Sequence, residues 1–82
     1  MNATIEAFTR AQILDGLEQL PKEWQRTFKL MYMPRASKNG LPQAITEEEI
    51  EACLIEQLVN TMPTEKLDWA LSQVENSLKK LN

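Results

Sequence analysis

The chain has no histidine and a single cysteine, Cys53. A disulfide within the chain is therefore excluded, and no Cys/His ligand set exists for a structural zinc. The missing imidazole also removes the commonest general base, and neither a serine nor Cys53 has a recognisable activating partner in the sequence. Glycine is nearly as scarce, with Gly16 and Gly40 alone, so no glycine-rich phosphate loop is present. No apolar run approaches the roughly 18 residues that cross a bilayer. No basic start precedes a continuous apolar core, as a secretory signal requires, and the first charged residue is the acidic Glu6. The expectation from these absences is a soluble cytoplasmic protein that is not an enzyme and holds no cofactor or metal.

What is present is apolar residues at helical spacing. From Thr61 to Asn82, residues Leu67, Leu71, Val74, Leu78 and Leu81 recur at intervals of four, three, four and three. On a helix of about 3.6 residues per turn they draw one seam along one side. A lone helix in water is marginal, so the upstream segments or a second copy of the chain must cover that seam. The 82 residues suffice for one small domain, 1–82, which buries roughly 60 to 65% of the surface of its unfolded chain. Cys53 lies inside such an apolar pattern and is expected to act as a small buried hydrophobe rather than as an intermolecular bridge.

Upstream, Thr9 and Gln12 match a capping box, which would start a helix at residue 9, while a start near Thr4 running straight through Thr9 fits equally. Ile13, Leu14, Leu17 and Leu20 supply its inner side, and Gly16 in the middle costs about 1 kcal/mol relative to alanine. Pro21 disfavours helix at Leu20 and suits the first position of a new one, so a sharp turn is expected there. The second helix, 21 to 33, carries Trp24, Phe28, Met31 and Tyr32 on one side and Lys22, Arg26 and Lys29 on the other. Residues 34 to 45 form a connector with Pro34, the turn dipeptide Asn39-Gly40 and Pro42. The residues beside that turn neither alternate nor favour sheet, so strands are not expected. Thr46 with Glu49 is the clearest capping box, and Glu47 and Glu48 sit where acids oppose the helix dipole. One helix, 46 to 61, should follow, its inner side made by Ile50, Cys53, Leu54 and Leu58 and widened by Ile55 and Val59. Pro63 ends this pattern or starts the next helix, and the seam helix is expected over 63 to 81.

The resulting fold class is all-α, a small three- or four-helix domain with an orthogonal or bundle-like core. The expected core is Ile13, Leu17, Leu20, Trp24, Phe28, Met31, Ile50, Leu54, Leu58, Leu67, Leu71, Val74 and Leu78. Leu20-Pro21 and Met62-Pro63 are each followed two residues later by glutamate and then by a tryptophan-bearing helix, a hint of two packed hairpins.

Two surfaces stand out. The first is the ridge Lys22, Arg26 and Lys29, continued by Arg35 and Lys38 in the connector. It suits an anionic partner, either nucleic acid phosphate or an acidic protein patch, or else is a solvated face partly neutralised by Glu47 to Glu51. The net charge of −3 and an isoelectric point near 4.9 disfavour nucleic acid, because a dedicated binding domain is usually basic. The charge is uneven, basic residues prevailing before residue 46 and acidic ones after it, so the two halves attract each other. The second is Trp69, which lies about 200° from Leu67 on a helical wheel, off the seam. Tryptophan is enriched at interaction hot spots, so Trp69 either meets a partner or is covered by the first helix or the N-terminal residues. The glutamate cluster is explained by helix capping and is no metal site, since consecutive glutamates on a helix point in different directions.

The run LPKEWQRTFKLMY (Leu20 to Tyr32), followed after residues 33 to 61 by MPTEKLDWALSQVENSL (Met62 to Leu78), resembles small accessory proteins of lambda-like phages and prophages of enteric bacteria. The most specific elements are Met62-Pro63 and Leu67-Asp68-Trp69-Ala70. The resemblance implies a small phage protein acting in the cytoplasm of its bacterial host and carries over no catalytic or binding residue. Three functions are consistent with these residues. The first is a protein-interaction module that binds and modulates a host protein, through the ridge, the proline-rich connector or Trp69. The second is a nucleic-acid-associated factor using the ridge, and the third a homodimer sealed along the 67 to 81 seam.

Overall fold

The computed structural model describes residues 2–82; Met1, the first residue of the expected domain, lies outside them. Five α-helices make up most of the chain: α1 (Ala3–Glu18), α2 (Lys22–Tyr32), α3 (Glu47–Ala52), α4 (Ile55–Thr61) and α5 (Leu67–Leu81). A two-stranded hairpin, β1 (Ser37–Lys38) and β2 (Leu41–Pro42), separates α2 from α3, and a 3-10 turn, Thr64–Lys66, leads into α5. The protein is thus a small all-α domain, with a strand pair too short to build a layer.

Helix α1 is the centre of the packing, lying against α5 on one side and α4 on the other, while α2 leans on α4 and α3. Ile13 and Leu17 of α1, Val59 of α4 and Leu67 of α5 are completely enclosed, and Val74 nearly so. The seam of α5 is therefore covered within the chain at Leu67 and Val74, Leu71 and Leu78 are partly buried, and Leu81 at its end is exposed. The closeness of the contact between α1 and α5 explains Gly16, which is buried. A Cβ there would overlap Val74 Cγ1 and stand 3.4 Å from Leu78 Cδ1. What the helix loses in propensity at Gly16 it regains as close approach of two helices.

Helix ends are closed by side chains. An α-helix leaves its last carbonyls without partners, and a following glycine in the left-handed region commonly satisfies them. Here one glycine is inside α1 and the other in the hairpin. Long side chains from neighbouring segments take over. Gln25 Nε2 donates to the carbonyls of Leu17 (2.8 Å) and Leu20 (3.1 Å). Lys29 Nζ donates to that of Ile50 (3.0 Å), and Arg10 Nη1 to that of Val59 (2.5 Å). These bonds tie the C-terminal ends of α1, α3 and α4 to side chains of neighbouring helices, two of them distant in sequence.

Four expectations need correction. Thr9 does not cap a helix: Asn2 does, its Oδ1 accepting from the Ile5 amide at 2.8 Å, and Thr9 is a buried residue whose hydroxyl donates to the Ile5 carbonyl. The early start through Thr9 is the one realised. The connector does contain strands, because Asn39 and Gly40 both adopt positive φ (54° and 76°), the geometry of the tight hairpin turn whose twist matches two antiparallel strands. Turn chemistry alone sets this pairing, with no help from alternation. Helix 46–61 is broken, since Cys53 and Leu54 are extended (ψ 117° and 129°). The break separates α3, which packs against α2, from α4, which touches both α1 and α2; Leu54 is left 65% exposed and Cys53 half-buried. Met31, expected in the core, is 53% exposed.

A polar cluster fastens α1 to the α4–α5 junction. Glu6 Oε1 accepts from Arg10 Nη2 (2.5 Å) and from the Thr64 hydroxyl (2.9 Å). The Arg10 guanidinium first, then the Thr64 hydroxyl, hold the Glu6 carboxyl below its usual range. A carboxylate with a lowered folded-state value adds stability above its unfolded value, about 4.3, and that stability disappears as the pH falls through the lowered one. Glu6→Gln is therefore expected to flatten the acid limb of the stability profile: between about pH 5 and 3 its urea midpoint should fall less than that of the parent. Parallel curves would show that Glu6 does not contribute to acid sensitivity.

Candidate interaction surface

The five cations singled out in the sequence are not equally free. On α2, Lys22 is exposed, Arg26 is paired with Glu47, and Lys29 is half-buried on the Ile50 carbonyl. Glu47 and Glu51 of the acidic helix line the same depression as these three. Arg35 and Lys38 are exposed on the hairpin segment. The ridge is thus interleaved with acids along α3, and two of its members already have partners.

Trp69 is different. It is 74% exposed, on the side of α5 away from the seam. Among the described residues, neither α1 nor the N-terminal segment covers it. Tryptophan left in water forgoes the burial of 150 to 250 Å² that makes it such a strong contributor to cores and interfaces.

Its surroundings form a groove between α2 and α5. The start of α2 (Trp24, Thr27) faces the end of α5 (Ser77, Lys80), and the end of α2 (Met31, Tyr32) faces the start of α5 (Trp69, Gln73), so the two helices run antiparallel. They stand apart and are bridged through Gln73, whose Oε1 accepts from the Tyr32 hydroxyl at 2.6 Å and whose Nε2 donates to Met31 Sδ at 3.8 Å. Burial pushes the Tyr32 phenol up, so it stays a neutral donor at ordinary pH. Tyr32 also stacks obliquely on Phe28, ring centroids 4.5 Å apart. Leu20, Phe28 and Val74 floor one part of the groove, and Met31 and Gln73 continue into the part that reaches Trp69.

Of this surface Trp69 alone is expected from the sequence, and Trp24 and Met31 are expected in the core. Lys66, Trp69, Gln73, Asn76, Ser77 and Lys80 follow one another at helical spacing, a row beside the seam. Most members of that row are polar, and a polar row on a helix ordinarily means solvent, so the pattern alone does not mark it as a surface. Among the described residues, no helix is long and apolar enough to cross a membrane, and no group of three or more acidic or cysteine side chains is gathered to hold a metal ion. No protein-family model matches the chain, and no curated protein or solved structure is significantly similar to it.

Proposed function

We propose that this chain is a non-enzymatic protein-interaction module, an accessory factor of the phage kind its sequence resembles, which binds and modulates a protein of the bacterial host. The observation that carries the reading is Trp69, 74% exposed in a chain with few aromatic residues, next to Met31, itself more than half exposed. Large apolar side chains gathered in one exposed place are the usual mark of a contact surface. The nucleic-acid reading has less to draw on, because Arg26 and Lys29 are engaged with α3, leaving Lys22, Arg35 and Lys38. A homodimer along the seam would have to displace α1 from Leu67 and Val74.

The test is capture of host-lysate components on the tagged protein, with and without nuclease. A discrete protein retained after nuclease treatment, lost on Trp69→Ala and kept on Arg26→Glu, is the expected result. Material that disappears with nuclease and falls off steeply with salt, as counterion release requires, would transfer the function to nucleic acid.

A further inference from the structure

We infer that the α2–α5 groove is a docking site for an amphipathic helical segment of a partner protein, apolar along its middle and acidic at both ends. The inference rests on the interaction-module reading and adds to it the place and the chemistry of the partner. Three observations converge on it.

The first is shape. Two antiparallel helices standing apart over an apolar floor present a lengthwise slot, the arrangement into which a third helix lays its apolar side. Trp24 and Met31 on one wall and Trp69 on the other offer large anchors, and Thr27, Asn76 and Ser77 supply polar atoms along the rim.

The second is surface area. The backbone measures 38 × 31 × 18 Å, a flattened shape. Its accessible surface is 5965 Å², whereas a folded monomer of 9.5 kDa exposes about 5,000 Å². The excess, about 900 Å², is comparable to the roughly 800 Å² that one partner contributes to a standard interface.

The third is charge. The chain is acidic overall, yet the charged side chains lining the groove are two lysines, Lys80 beside Trp24 and Lys66 beside Trp69. Both are exposed, and among the described residues neither is in an ion pair. Asp68 lies on the outer flank of Trp69, across that side chain from the groove. At a rise of about 1.5 Å per residue the two lysines stand about 21 Å apart along the helix, so the matching partner helix has about four turns between its acidic ends. Opposite charges at the rim of an apolar contact select the partner and its register. The acidic helix of the chain itself, α3, is a six-residue element already packed on α2 and is too short to fill the groove.

The test uses fluorescein-labelled helical peptides of about four turns, apolar at i, i+3, i+4 and i+7, with glutamates at both ends, and the same peptide with lysines in their place. Fluorescence anisotropy on the full chain should show the acidic-ended peptide bound at least about tenfold more tightly than the basic one. Trp69→Ala should weaken it about tenfold or more, and the exposed double variant Lys66→Glu, Lys80→Glu should invert the preference. Equal affinity for the two peptides, binding that ignores these substitutions, or no binding of either would overturn the groove. So would a dimer in solution whose dissociation is needed before the peptide binds. A host protein captured equally well by the Trp69→Ala chain would also overturn the groove while leaving the module reading intact; the module reading fails only if no specific protein is captured.

Discussion

Leu17→Ala should cost about 2 to 5 kcal/mol, the range for emptying a fully enclosed leucine site. Leu17 is 0% exposed on α1, the helix that carries the packing for both α4 and α5. For a chain of 82 residues the whole stability is about 4 to 12 kcal/mol at the usual 0.05 to 0.15 kcal/mol per residue, so the variant should lie close to unfolding. The urea midpoint should drop with the slope unchanged, and the thermal midpoint should fall by at least about 10 °C. Leu54→Ala is the control. Sequence pattern places Leu54 in the core as firmly as Leu17, but the break before α4 leaves it exposed, and its loss should stay within about 0.5 kcal/mol. Similar losses at the two sites would mean that residues 46–61 form one straight helix after all.

Gly16→Leu should be the other severe change, with a loss of about 3 kcal/mol, the upper end for overpacking a close-packed site. Gly16→Ala is the more informative of the two because two effects oppose each other. Helix propensity alone makes alanine better by about 1 kcal/mol. The new methyl group, however, would overlap Val74 Cγ1, and a β-branched side chain in a helix has one strongly preferred rotamer and little room to turn away. We expect the overlap to prevail and Gly16→Ala to destabilise by about 1 kcal/mol. Val74→Ala removes the obstructing atom, so in the double variant the alanine at 16 should regain its favourable sign, a coupling of about 1 kcal/mol or more that a double-mutant cycle measures. Stabilisation by Gly16→Ala in the parent background would instead place α1 and α5 farther apart.

These two positions illustrate what a helical pattern conveys. The period of apolar residues locates both ends of α2 to within one residue and the end of α5 at Leu81, because it depends on local geometry. The start of α5 falls four residues after the expected Pro63, because Thr64–Lys66 wind as a 3-10 turn first. The starts at Pro21 and Thr46 were equally legible: Pro21 precedes α2, and the Thr46–Glu49 box is formed in both directions, with the threonine oxygen on the Glu49 amide and the glutamate on the Thr46 amide. Leu20-Pro21 and Met62-Pro63 also behave alike, each placing a buried apolar residue before a proline that opens the next helical segment. Of the candidate surface, Trp69 could be singled out from its angle to the seam. The groove beside it could not, since it is made by the distance between two helices that are far apart in sequence.

By itself the sequence determined the all-α class, most of the helix boundaries, the apolar side of each long helix and, through its single cysteine, the lack of an internal disulfide. All of these follow from residue types and their spacing over one or two turns. Only the tertiary structure decided which apolar residues are enclosed. The patterned sides are wider than the neighbours that cover them, and α1 lies centrally against α4 and α5 whereas α2 leans on α3 and α4. Leu67 and Val74 are therefore sealed, Met31 and Trp69 stay in water, and Lys29 serves as a carbonyl cap. The same placement sets the sign of a substitution at Gly16, where a cost of helix propensity becomes the space in which two helices meet.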